Sequence, residues 1–169
     1  MNSLATKAAA GFIAVIFGLV AFLPSAQAKS SSTPAAVASD VVAFRQNIGN
    51  VLQSYFTTYG SRLSTNEQAQ MTTLVGQVDR ELATLQRKAQ HSAELTRTHA
   101  PKAKQHAAAH AAAQTFDAAY SHALASLESV QPILQPKLSL FEALRAKSDL
   151  DQSLQAFENL GTQLHTLAQ

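Results

Sequence analysis

From Met71 onward, Val75, Val78, Leu82, Leu85, Ala89, Ser92 and Thr96 recur at alternating spacings of four and three residues. That rhythm lays one stripe along an α-helix. Ser64, with Glu67 three residues later, supplies a capping box at the start. Counted from there to Ala100-Pro101, the pattern predicts a helix of over thirty residues, about 50 Å long at about 1.5 Å per residue. A rod with one apolar stripe is not stable alone, because most helical stability comes from tertiary packing.

The same rhythm recurs on both sides. Thr33-Pro34 predicts a helix start, with Thr as N-cap and Pro at the first helical position. Val37, Val41, Phe44, Ile48, Val51 and Tyr55 continue it to about Tyr59, with a stop at Gly60. A third helix is expected from near Pro101 to about Val130, with Phe116, Tyr120, Ala123, Leu127 and Val130 on one stripe. Pro132 and Pro136 should break it, since proline lacks an amide donor and disfavours helical geometry in the residue before it. A fourth helix is expected from Pro136 or from the capping box of Ser139 and Glu142. Its apolar face reads Leu140, Ala143, Leu144, Leu150, Leu154, Phe157, Leu160, Leu164 and Leu167, and Gly161 is its weak point. No strand pattern and no internal repeat is evident. Long amphipathic helices on short connections predict an all-α, up-down-up-down four-helix bundle of antiparallel helices over residues 34–169. An elongated three-helix coiled coil with a fourth segment outside it is the alternative.

The first 28 residues follow a different pattern. Lys7 precedes an apolar run from Ala8 to Leu23, and Pro24 precedes Ala26-Gln27-Ala28, the small-x-small pattern of a cleavable secretory signal. Cleavage is expected after Ala28, leaving a Ser-rich linker over 29–33 and a periplasmic or secreted protein with no stable membrane span. The run is shorter than the roughly 20 residues that comfortably cross a bilayer.

Composition narrows the chemistry. Hydrophobic residues make up 46% of the 169, enough for a real core, while only 14% are charged, so the surface should be polar and largely neutral. A net charge of +2 names no partner, and no nucleic acid is expected. Cysteine is absent, which excludes disulfides, a thiolate nucleophile and a lipid anchor on cysteine. The few glycines are unclustered and no serine sits in a nucleophile elbow, so no enzyme and no cofactor are predicted.

Two weaker constellations remain. His106 and His110 are one helical turn apart, a spacing at which two imidazoles can hold Zn, Cu or Ni, with His91 or His99 as a third ligand. Arg87, Lys88, Arg97, Lys102 and Lys104 face the single acid Glu94 along this stretch and predict a basic end, a candidate for an anionic envelope component. The helix start Leu63-Ser64-Thr65-Asn66-Glu67-Gln68 resembles the Leu-Thr-x-x-Gln motif of Spy/CpxP-type periplasmic chaperones, with Ser for Thr and the Gln one position late. That resemblance implies a dimeric binder of unfolded chains and carries over no site residue. The functional expectation is an exported, non-enzymatic bundle that binds another protein, itself as a homodimer, or an envelope component, chaperone-like or as a structural adaptor. Apolar residues flanking the stripes, Val42, Leu52, Phe56 and Leu95, are the expected contact face.

Overall fold

A computed structural model describes residues 33–169, excepting the side chains of residues 127, 145, 146, 149 and 150. The expected signal peptide, its cleavage point and nearly all of the linker lie outside the described residues, as do the side chains of Leu127 and Leu150 on the expected stripes. Within them the chain is all-helical. Four long helices, α1 (Pro34–Tyr59), α2 (Thr65–Arg97), α3 (Lys102–Leu134) and α4 (Leu140–Ala168), are joined by short 3-10 turns at Gly60–Arg62 and Gln135–Lys137 and by a tight turn before Pro101. None of them is long and apolar enough to cross a membrane.

The starts follow the local chemistry of the chain. The Thr33 hydroxyl accepts from the Ala36 amide, 3.2 Å away, with Pro34 in the first turn. Ser64 and Ser139 each form a complete capping box. The serine amide donates to the Glu67 or Glu142 carboxylate at 2.7 Å, and the glutamate amide donates back to the serine hydroxyl.

The stops are less direct. Gly60 is not a left-handed cap: its φ of −56° continues the chain into the 3-10 turn. The α2 stop is instead a Schellman turn, with the Ala100 amide on the Leu95 carbonyl and the His99 amide on that of Thr96. The residue in the left-handed position is His99, at φ 55°. The expected break after Val130 does not occur, because α3 runs through Pro132 to Leu134. Proline there forfeits only the bond to the Glu128 carbonyl, close to the end of a helix that tertiary contacts already hold.

Packing joins the stripes into one core. Val37, Val41, Phe44 and Ile48 of α1 are buried with Leu82 and Leu85 of α2, Ala112 and Phe116 of α3, and Phe157, Leu160 and Leu164 of α4. Residues from all four helices, among them Val37, Ser92, Ala112 and Leu164, surround one small space. Leu52, Met71 and Leu134 surround another. The densest cluster is aromatic. Phe44 stacks on Phe157 at 4.7 Å between centroids, and Phe116 meets Phe157 edge-on at 4.9 Å. Gly161 is what admits Phe116, since a Cβ there would lie 2.4 Å from the ring.

Contrary to the sequence expectation, the chain is internally repeated. Each hairpin ends its first helix in a three-residue 3-10 turn whose last residue is basic, followed by Leu and a Ser-x-x-Glu box: Arg62-Leu63-Ser64 with Glu67, then Lys137-Leu138-Ser139 with Glu142, at an offset of 75 residues. Many of the buried positions keep the same offset. Val37, Ala38, Val41, Phe44, Ile48 and Val51 of α1 correspond to Ala112, Ala113, Phe116, Ala119, Ala123 and Ser126 of α3, all buried. In the second helices Leu82, Leu85 and Ala89 correspond to Phe157, Leu160 and Leu164, again all buried.

Candidate functional site

The two hairpins differ on the outer side of their first helix, where Arg45 and Gly49 of α1 stand at the places of Tyr120 and Leu124 of α3. Between α1 and α2 lies an open groove of about 500 Å³. Its floor is apolar, from Ile48, Leu52 and Phe56 of α1 and Val75 and Leu82 of α2. Gly49 and Gly76 also line it. A Cβ on Gly49 would meet nothing within 4 Å, and one on Gly76 would meet only the Arg80 guanidinium at 3.6 Å. No internal contact requires either glycine, yet glycine in a helix interior costs about 1 kcal/mol relative to alanine.

In the second hairpin the position equivalent to the Arg45 end of the groove holds apolar side chains. Arg45, Gly49 and Asp79 correspond there to Tyr120, Leu124 and Leu154, which pack against the core around a space of about 10 Å³, while the equivalents of Leu52 and Val75, residues 127 and 150, are among the side chains outside the description. The same backbone pattern accommodates leucine at the position of Gly49.

One end of the groove is polar. The Arg45 guanidinium forks onto Asp79, Nε donating to Oδ1 at 2.9 Å and a terminal nitrogen to Oδ2 at 3.1 Å, and donates to Gln86 Oε1 at 3.1 Å. The hydrogen bond to Asp79 raises the Arg45 pKa above its ordinary value against a partial desolvation that lowers it. Gln53 and Thr72 stand on the rim.

Of the residues expected to form a contact face, Leu52 and Phe56 do line this groove, but Leu52 is buried and Phe56 packs against the core. Among the described residues the large apolar side chains that face solvent lie elsewhere: Leu140, Phe141 and Leu144 are 74, 83 and 58% exposed. Leu140 and Leu144 were expected on the buried face of the fourth helix. At 3.6 residues per turn they lie roughly 100° and 140° away from Phe157 around α4, outside its inward stripe.

The two connections beside this patch are cross-tied. Arg62, before the first box, donates to Glu142 of the second and to the Lys137 carbonyl, at 3.0 and 3.1 Å. Lys137, before the second box, pairs with Glu67 of the first at 3.3 Å. Arg62 together with the Ser139 amide and hydroxyl holds Glu142 down to a pKa of about 2. Bonds from Ser64, with Lys137 behind them, lower that of Glu67.

His106 and His110 are both exposed on α3. Among the described residues no group of three or more His, Asp or Glu side chains comes together that could hold a metal. His91 and His99, expected as third ligands, are exposed and do not complete such a group. The basic residues are dispersed. Arg97 is forked onto Glu94 at 2.6 and 2.8 Å, Arg87 donates to Thr84, and Lys102 and Lys104 are exposed in the first turn of α3. Arg87 and Lys88 lie about 15 Å up the α2 axis from Arg97.

Comparison with family models, curated proteins and solved structures returned no match. The resemblance to periplasmic chaperones therefore rests on the helix start alone. There Gln68 has a local role, its amide donating to the carbonyls of Gly60 and Leu63 at 2.8 and 3.1 Å.

Proposed function

We propose that this chain is an exported, non-enzymatic four-helix bundle, its helices alternating up-down-up-down, that binds apolar side chains of a protein partner in the α1–α2 groove as a chaperone-like or structural adaptor of the cell envelope. The bundle topology is supported by residue pairs that descend on one helix as they rise on the next, Val37 near Ser92 and Leu52 near Met71. Export rests on the leader ending at Ala28. The observation that carries binding is the open groove of about 500 Å³ with an apolar floor, lined by Gly49 and Gly76, neither of which an internal contact requires. A volume of that size falls within the roughly 300–1,000 Å³ of ordinary ligand sites. A binding role is favoured over catalysis because the groove's ionisable side chains, Arg45 and Asp79, are engaged with each other.

The test is Gly49→Leu, which places in the groove the side chain that the second hairpin carries. Fluorescence of 1-anilinonaphthalene-8-sulfonate is expected to rise with the wild-type chain and to fall several-fold with the variant, while the helical circular dichroism stays unchanged. Equal fluorescence from the two proteins would remove the groove as a binding site.

A further inference from the structure

Leu140, Phe141 and Leu144 are the large apolar side chains that the described surface leaves to solvent, and all three stand in the first turns of α4. Helix capping does not require them. Thr65, Asn66 and Ala69 hold the same places after the Ser64 box, and all six positions are exposed. A capped start of this kind is thus built equally well with small and polar side chains, and an exposed apolar patch of this sort marks a contact surface.

The charges around the patch point to what it meets. Lys147 continues the four-three spacing of Leu140 and Leu144, which puts it on their side of α4. It is exposed, and no carboxylate among the described residues pairs with it. From Leu138 to Ser148 the sequence carries Arg145 and Lys147 against Glu142 alone, and Glu142 is held by Arg62 at 2.9 Å. Lys137 pairs in the same way with Glu67. The surroundings of the patch therefore keep an excess of positive charge. The patch is also convex, since Phe141 projects from a helix start with 83% of its surface in solvent.

We propose that Leu140, Phe141 and Leu144 insert into the surface of an anionic phospholipid bilayer, with Lys147 at the level of the headgroups, so that one corner of the bundle is held at a membrane. Projecting apolar groups beside unpaired cations match the two layers of such a surface, hydrocarbon beneath anionic headgroups. A bilayer also covers a convex patch without needing walls of complementary shape. A second copy fits less well, because an isologous contact through this patch sets like charges against one another. The inference does not depend on the α1–α2 groove.

The chain has no tryptophan, so Phe141→Trp reports on the patch directly. The probe is a vesicle of mixed phosphatidylcholine and phosphatidylglycerol, added to the processed chain, residues 29–169. The indole of Phe141→Trp is expected to shift to shorter wavelength and to be quenched by brominated acyl chains. That of Lys104→Trp, about 45 Å up α3 from Leu134 at about 1.5 Å per residue, should do neither. In cosedimentation, L140T/F141N/L144A is expected to bind at least about tenfold more weakly than wild type, and Lys147→Gln about fivefold more weakly. The triple variant carries the residues that the other capped start already uses, and unchanged helical circular dichroism separates loss of contact from loss of fold.

A wild-type chain that stays in the supernatant overturns the proposal, as does undiminished binding of the triple variant or equal binding to phosphatidylcholine alone. A Phe141→Trp spectrum that shifts with protein concentration in the absence of vesicles means that a second copy covers the patch, and overturns it too. The dye experiment on Gly49→Leu reads the groove alone, so either reading can fail without the other.

Discussion

At the scale of single residues, two glycines on helix interiors have opposite reasons to be there, and one substitution distinguishes them. Gly161 lies under the Phe116 ring, and the alanine Cβ would sit 2.4 Å from it, a clash that Phe116 cannot relieve without leaving Phe157. Gly161→Ala is expected to destabilise by about 1–3 kcal/mol despite the better helix propensity. Gly49 faces open space, so Gly49→Ala should stabilise by about 1 kcal/mol through propensity alone. Urea unfolding of both variants checks the pair, and the same sign for both would contradict the packing described. His99 is a third case. It holds a left-handed φ that glycine adopts freely, so His99→Gly should stabilise the turn by about 1 kcal/mol in the same assay. None of these positions was legible in the sequence beyond the bare presence of glycine or histidine. Whether a helical glycine meets a ring or solvent depends on a neighbouring helix, which spacing along one helix does not reveal.

At the scale of elements, what was legible is what depends on nearby residues alone. Both capping boxes, the Thr33-Pro34 start and the inward stripes of α1 and α2 follow from contacts within one or two turns, and all are present. What failed depended on tertiary context: the passage of α3 through Pro132, and the exposure of Leu140 and Leu144. The cross-tie of the two turns belongs to the second kind, because Arg62 and Glu142 are 80 residues apart. It carries a pH dependence of definite sign. Glu142 has its pKa lowered from 4.5 to about 2 in the folded chain, so the stabilisation from its ionised form is fully present above about pH 4.5 and is lost as pH falls toward 2. Glu142→Gln should therefore melt at a lower temperature than wild type near neutrality, and the difference should shrink between pH 4.5 and 2. Thermal melts over that range check it, and a difference that grows on acidification would contradict the pairing.

At the scale of the whole molecule, the repeat bears on how the core is divided. Few identities survive at the offset of 75, and the shared feature is the burial of equivalent positions. A sequence read for motifs misses it, since Val41 and Phe116, or Ala89 and Leu164, share an environment and not a side chain. The consequence is that neither hairpin owns a core. Phe44 of the first stacks on Phe157 of the second, and Val37, Ser92, Ala112 and Leu164 come from four different helices. A hairpin alone would expose its inward stripe, and helices without tertiary cover are marginal in water. Residues 33–97 and 102–169, made separately by division at the turn before Pro101, should each lose much of their helical circular dichroism and recover it when mixed in equal amounts. An elongated arrangement, in which each hairpin kept its own interior, would leave both fragments helical and indifferent to mixing. The fragment experiment thus decides between one shared core and two self-contained hairpins on the one quantity in which they differ: how much apolar surface each half must borrow from the other.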